Sequence, residues 1–242
     1  MIIVRSLIYF AFLVLNTILV ATIGLIIIGF LPTQKRFIID GTWSRVNLWG
    51  LKNICNLSYR VVGEENIPTQ PCIVFSNHQS AWETIALISI IKLPKVWVLK
   101  RELLYVPIFG WVMFFFRPIA IDRNAGRKAI TQIVEEGTKR LKHGLSIIIF
   151  PEGTRVATNE SKKFGGGGAI LAEKSGYPIL PIAHNAGVYW KRRGILKYPG
   201  VIEVSIGPLI KTTGKKAGVI NQQAQEWIET NKKMISHEKI SM

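Results

Sequence analysis

The segment Ser76-Asn-His-Gln-Ser-Ala-Trp-Glu-Thr84 sets an imidazole, His78, five residues ahead of a carboxylate, Glu83. A carboxylate bonded to one ring nitrogen fixes the tautomer and leaves the other nitrogen as a base toward a hydroxyl or a water. On a continuous helix, residues five apart point about 140° from each other. The two groups can therefore meet only if His78 lies in a turn and Glu83 on the first turns of the helix that follows. By spacing alone, a histidine in a capping network reads equally well. A metal site is the weaker reading, because no other histidine lies nearby in the sequence. A second group, Phe150-Pro-Glu-Gly-Thr-Arg155, offers a carboxylate, a flexible glycine, a hydroxyl and a guanidinium. Arginine matches phosphate through bidentate charge-assisted bonds. Taken alone, this group also reads as a Pro-Glu-Gly turn with a surface arginine.

Both groups follow short apolar runs rich in β-branched residues. Such runs predict strands at Tyr59–Val62, Cys72–Ser76, Lys95–Leu99, Ile119–Ile121, Ser146–Phe150, Ile179–Ala183 and Val201–Ile206. His78 and Glu152 thus stand at carboxyl ends of strands, where α/β folds hold their ligands. The clearest helix runs from Ala125 to about Lys142, with Ile130, Val134, Gly137 and Leu141 on one stripe, Asn124 as N-cap and Gly144 as stop. The order of elements predicts an α/β fold: a mixed, largely parallel sheet flanked by helices. Gly165–Gly168 reads either as a flexible loop or as backbone amides turned toward an anion. The apolar stretch Leu103–Phe116 suits a buried helix or a surface dipping into a bilayer.

The N-terminus is of another character. From Ser6 to Leu31 there are 26 residues without a charge, a helix of about 39 Å, enough to cross a hydrocarbon core with tilt. The stretch lacks a small-x-small ending and so reads as an uncleaved anchor rather than a signal peptide. One span, or a hairpin breaking near Asn16-Thr17 or Gly24, would fit. Lys35, Arg36, Arg45 and Lys52 follow it and Arg5 alone precedes it, which sets the rest of the chain on the cytoplasmic side. Residues 33–56, with Trp43 and Trp49, read as an interfacial connector. The expected division is therefore 1–56 for anchor and connector and 57–242 for a cytoplasm-facing catalytic domain. The formal charge of +16, next to that anchor, points to an anionic membrane or substrate rather than to nucleic acid. Two cysteines, Cys55 and Cys72, form no CxxC pair and support neither a disulfide framework nor a cysteine-ligated zinc.

Together, Asn-His-x4-acid and, about seventy residues on, Phe-Pro-Glu-Gly-Thr-Arg resemble the glycerolipid acyltransferase family. Lys100-Arg101-Glu102-Leu103 with Pro107, Gly110 and Ile121-Asp122-Arg123 resemble its second block, and Ile179–Ile182 its fourth, all in family order over residues 72–185. Within the family the resemblance is to the enzymes acting on 1-acylglycerol-3-phosphate. It implies transfer of a fatty-acyl group from acyl-CoA or acyl carrier protein to the free hydroxyl of that lysophospholipid, giving phosphatidic acid at the inner (cytoplasmic) membrane. It implies His78 as general base, Glu83 as its orienting acid, and Glu152, Gly153, Thr154, Arg155 and Arg123 around the glycerol-phosphate head. Lys100 would meet phosphate or extend along the surface, and Asn77 would shape the His78 loop. No metal or bound cofactor is required. Two departures stand out: Glu83 replaces the family's usual Asp, so the contact with His78 must survive on a longer arm, and Lys162-Lys163-Phe164-Gly165 replaces Phe-Lys-x-Gly. The nearest rival is an acyltransferase of the same family with another acceptor, a different lysolipid or glycerol-3-phosphate. A lipid hydrolase, using His78 on water, is the rival of another class; no Gly-x-Ser-x-Gly elbow occurs. A non-catalytic membrane-binding module is a third. His184, just past the fourth block, could line the site; His143 suits a helix C-terminus.

Overall fold

The computed structural model describes residues 1–27, 30, 33–107 and 109–237. Helix α1 (Ile2–Ile27) runs unbroken through Asn16-Thr17 and Gly24, so neither expected break is present. Most of residues 33–56, expected as an interfacial connector, forms a second long helix, α2 (Thr33–Cys55). The two pack antiparallel: Cys55 lies against Arg5 O, Gly50 against Phe12, and Trp43 Nε1 donates to Thr17 Oγ1 at 3.0 Å. A hairpin thus exists, with α1 and α2 as its arms. Residues 28, 29, 31 and 32, between the two helices, lie outside the described residues.

Beyond the hairpin come β1 (Leu57–Val62), β2 (Ile73–Ser76), α3 (Trp82–Ile90), β3 (Lys95–Lys100), α4 (Phe109–Phe115), β4 (Ile119–Ile121), α5 (Arg127–Lys142), β5 (Ser146–Ile149), α6 (Gly167–Ser175), β6 (Ile179–His184), α7 (Ala186–Tyr189), β7 (Gly200–Ile206) and α8 (Ala217–His237). The seven strands form one sheet in the order β1-β7-β6-β2-β5-β3-β4. Pairing is parallel except between β6 and β7, so five adjacent strands from β6 to β4 run one way and β1 and β7 the other.

Side chains alternate across this sheet, as the pleat requires. Along β2, Cys72 and Val74 join one core, while Ile73 and Phe75 join the other. The first core packs against α1, α2 and α3 and contains Tyr9, Leu48, Leu51 and Trp82. The second lies under α5, α6 and α8 and contains Ile133, Leu171 and Ile228. Strands covered on both faces need apolar residues at every position, which is why Ile73–Ser76 and Ser146–Ile149 read as continuous runs. The hairpin therefore shares a core with the sheet, in which Cys55 at the end of α2 and Leu57 at the start of β1 both lie.

Two local readings change. Asn124 is not the N-cap of α5: Asp122 accepts its amide in a short 3-10 turn, Arg123–Ala125, and Gly126 precedes the helix at a positive φ. The buried stripe is Ala129, Ile133, Gly137 and Leu141, with Ile130 and Val134 half-buried beside it. In the apolar stretch after β3, Leu103, Tyr105, Val106, Trp111 and Phe114 are exposed, so it forms a surface and not a buried helix; Ile108 lies outside the described residues.

Candidate active site

His78 sits in the turn between β2 and α3, and Glu83 on the first turn of α3. His78 Nδ1 is 2.7 Å from Glu83 Oε1, which also accepts the amides of Gln79 (2.8 Å) and Ser80 (2.7 Å). Glu83 is fully buried. Burial pushes its carboxyl up, but the His184 ring, the His78 contact and the Ser80 amide together hold it below the usual carboxylate range. An ionised carboxylate can only accept, so Nδ1 carries the proton and Nε2 keeps its lone pair. The imidazole stacks flat on Phe150, with centroids 4.0 Å apart and planes at 8°.

The His78 backbone is held as firmly as its ring. Its N–H donates to Glu152 Oε2 at 2.7 Å, and its carbonyl accepts the Val156 amide at 2.7 Å. Glu152 is buried; desolvation raises its carboxyl to about 8, against the His78 hydrogen bond and the nearby Lys232, which lower it. Its carboxylate thus faces the His78 loop. The Pro151-Glu152-Gly153 turn, with Gly153 at φ +72, folds the side chain toward the end of β2, a contact with His78 that the resemblance did not imply. Asn77 and His184 exchange hydrogen bonds between the ends of β2 and β6. Asn77 Nδ2 donates to His184 O (2.9 Å), His184 N–H to Asn77 Oδ1 (3.0 Å), and His184 Nε2 to Asn77 O (2.8 Å). His184 Nδ1 accepts the Ala186 amide at 3.3 Å. Each ring nitrogen is thus matched by a neutral imidazole, and burial lowers the His184 pKa. Its Nε2 lies 4.0 Å from Glu83 Oε2, behind the His78–Glu83 pair.

The remaining residues follow from strand order. His78 follows β2, Gly153–Arg155 follow β5, Lys100 ends β3 and Arg123 follows β4, and these are four adjacent parallel strands. At about 4.8 Å per strand, the four ends span roughly 14 Å, a row with a base at one end and cations along it. Lys100 pairs with Glu102 at 3.0 Å, both exposed, and Arg123 feels Glu102 as well. Thr154 is exposed and Gly153 has open space where a Cβ would stand. Arg155 is half-buried, and its Nε is buried without an acceptor among the described residues. The glycine run is ordered: Gly165 N–H donates to Pro151 O at 2.8 Å, and Gly167 starts α6. At Gly168 a Cβ would meet the Phe75 ring at 2.6 Å, so α6 can sit this close to β2 only on a glycine. Among the described residues no cluster of three or more His, Cys, Asp or Glu is placed to hold a metal ion.

His184, which by position could line the site, braces the loop instead. Two participants escape sequence reasoning: Phe150 reads as the end of a strand, and its ring lies under His78, and Val156 holds the His78 carbonyl. Neither carries a local signal, since each contact depends on which strands become neighbours.

Comparison with known proteins agrees with this geometry. The acyltransferase family pattern matches residues 58–185. The 1-acyl-sn-glycerol-3-phosphate acyltransferase of Pseudomonas aeruginosa is 40% identical over 237 residues, covering 96% of this chain and 92% of that one. The human 1-acyl-sn-glycerol-3-phosphate acyltransferase beta is 28% identical over 149 residues, 61% of this chain and 54% of the human one. The crystal structure of the 1-acyl-sn-glycerophosphate (LPA) acyltransferase PlsC from Thermotoga maritima superposes with a TM-score of 0.75 over 98% of both chains, at 20% identity, and shares the fold. With a histidine–carboxylate pair at the end of β2, a Phe-Pro-Glu-Gly-Thr-Arg turn at the end of β5, and likeness along nearly its whole length to one such enzyme, the chain belongs to the acyltransferase family.

Proposed function

We propose that the chain transfers a fatty-acyl group from acyl-CoA or acyl carrier protein to the free hydroxyl of 1-acylglycerol-3-phosphate, giving phosphatidic acid, at the cytoplasmic face of the inner membrane. The observation that carries this reading is the Nδ1 contact to Glu83, which leaves Nε2 of His78 basic one strand away from the unmatched guanidinium nitrogen of Arg155. Nε2 takes the proton from the acceptor hydroxyl as its oxygen attacks the thioester carbonyl. The C–S bond breaks, the ester C–O bond forms, and the leaving thiolate takes the proton back from the imidazolium. The substrate hydroxyl stands where a serine stands in a Ser-His-acid triad, so no acyl-enzyme is needed. Backbone amides of the two motif turns are the candidates for stabilising the oxyanion. Arg155, with Gly153 and Thr154, and beyond them Lys100 and Arg123, receive the phosphate. Glu152 acts from behind, on the His78 loop.

Membrane attachment is supported by α1, which is long and apolar enough to cross a bilayer and is mostly not buried against the rest of the protein. Its outward face bears Leu7, Phe10, Leu15, Leu19 and Ile26, all exposed. The exposed Tyr105, Trp111 and Phe114 add a second apolar surface beyond the end of β3. The test is an assay of detergent-solubilised protein with labelled acyl thioester and a panel of acceptors. Transfer to 1-acylglycerol-3-phosphate should exceed release of free fatty acid, and His78→Ala should lower it by about two to four orders of magnitude. Fatty-acid release at the same rate with and without acceptor would instead identify a hydrolase.

A further inference from the structure

One polar face of α8 grips the segment that follows the Phe150–Arg155 turn. Asn221, Gln225, Glu229 and Lys232 recur at helical spacing and so share a face. Asn221 Nδ2 donates to Phe164 O at 3.1 Å, and Gln225 Oε1 accepts the Phe164 amide at 3.1 Å. Two turns further on, Lys232 Nζ donates to Glu160 O at 3.2 Å and pairs with Glu229 Oε2 at 2.6 Å. The gripped segment returns to the site at both ends: Val156 N–H bonds His78 O, and Gly165 N–H bonds Pro151 O. None of these α8 residues lies within residues 58–185, where the family pattern matches.

Lys232 is the telling member. It is 5% exposed, and taking an ammonium out of water costs several kcal/mol, so that an apolar residue of similar volume would serve packing at least as well. The charge therefore has an electrostatic use, and its field falls on Glu152. We propose that Lys232 is a positioning residue for acyl transfer, its ammonium steadying the loop 156–164 and the Glu152 carboxylate, which together hold His78 by both of its backbone groups. The inference rests on the acyl-transfer reading above. The groups facing Glu152 are the His78 amide, Lys232, Glu229 and Glu83. Of these, the amide and Lys232 favour the ionised form, and burial and the two carboxylates oppose it.

The test uses the full-length protein in detergent, with Lys232→Met, Lys232→Gln and Lys232→Arg. Acyl transfer is followed between about pH 6 and pH 10, where Glu152 titrates. Digestion by trypsin at the exposed Lys162 and Lys163 is timed alongside. Lys232→Met and Lys232→Gln should lower kcat about ten- to a hundred-fold, the scale of a small misplacement of the base, with both KM values within about twofold. Their rates should rise only at higher pH than the wild type's, since Glu152 has lost its cation. Lys232→Arg should restore most of the rate. Trypsin should cut the Met and Gln variants several times faster. Should Met fail to fold, Gln carries the same expectations. Unchanged kcat, pH profile and digestion would overturn the proposal, and so would a loss of rate that leaves profile and digestion unmoved. If the wild type itself transfers no acyl group, the acyl-transfer reading has failed, and the digestion rate alone then decides whether Lys232 braces the loop.

Discussion

Glu83 contacts Nδ1 of His78 at 2.7 Å through the same oxygen that accepts the amides of Gln79 and Ser80. On its longer arm than an aspartate's, the carboxylate still meets His78 from the first turn of α3, where the side chain is buried. Glu83→Gln keeps the size and loses the charge that favours the imidazolium, so acyl transfer should fall by about 10²- to 10⁴-fold. Glu83→Asp keeps the charge on a shorter arm and should remain partly active. Equal rates for Gln and wild type would remove Glu83 from the mechanism.

The fold should be most sensitive to pH at Glu152. Its carboxyl titrates near 4.3 in an unfolded chain and is raised to about 8 here, so the folded state binds the proton more tightly. Its contribution to stability is greatest below the unfolded value and is lost as pH rises toward about 8. Glu152→Gln can still accept the His78 amide and escapes this penalty. Its melting temperature should exceed the wild type's at about pH 9 and match it near pH 5. Identical melting at alkaline pH would show that Glu152 titrates normally.

Arg155→Ala removes a charge-assisted contact worth about 1.5–3 kcal/mol, or roughly ten- to a hundred-fold. The loss should appear in the acceptor's KM, with the acyl-donor KM little changed. Arg155→Lys should recover only part, since an ammonium lacks the bidentate fork. With an acceptor of the same chain but no phosphate, Arg155→Ala and wild type should be similarly poor. Equal impairment on both acceptors would mean that Arg155 does not read phosphate.

The hairpin should matter to the fold as well as to attachment. Tyr9 is fully buried, edge-on to Trp190 at 5.9 Å. Lys197 Nζ lies over the rings of Trp190 (4.7 Å), Tyr9 (5.4 Å) and Phe10 (5.8 Å). Tyr9→Ala should cost about 3–5 kcal/mol, as large-to-small core changes do, and lower the melting temperature in detergent. A high-salt wash, which screens charge but not apolar burial, should leave the full-length chain on membranes. A Tyr9→Ala protein that melts with the wild type would show that α1 sits apart from the rest.

All seven strands were legible within two residues: β2, β5 and β6 are buried on both faces and so are written as apolar runs, while β1 and β7 are half-exposed and betray themselves by β-branched residues. The His78–Glu83 contact was legible too, since a strand end forces the turn that brings them together. Helix α2 was not. It meets α1 on one side and α3 on the other, so its apolar residues do not sort into one stripe. The direction of Glu152 was hidden for another reason: a carboxylate beside an arginine reads as part of a ligand site, and only the pairing of β2 with β5 shows that it turns back. Likewise Asn221, Gln225 and Lys232 look like any solvated helix face until the loop beneath them is seen.

The bond from Lys197 N–H to Ser6 Oγ joins residues 191 positions apart, and β1 pairs with β7 across 143, as from Leu57 to Gly200. Chain order thus imposes an order of assembly. During synthesis the first sixty or so residues emerge long before their partners, and closing such loops delays native contacts. Through that interval α1 has only α2 of its own protein to pack against, and a bilayer is a shelter that its exposed apolar face fits. The lysine latch can form only after the loop before β7 has been made, so a nascent chain would reach the membrane before it owns a finished sheet.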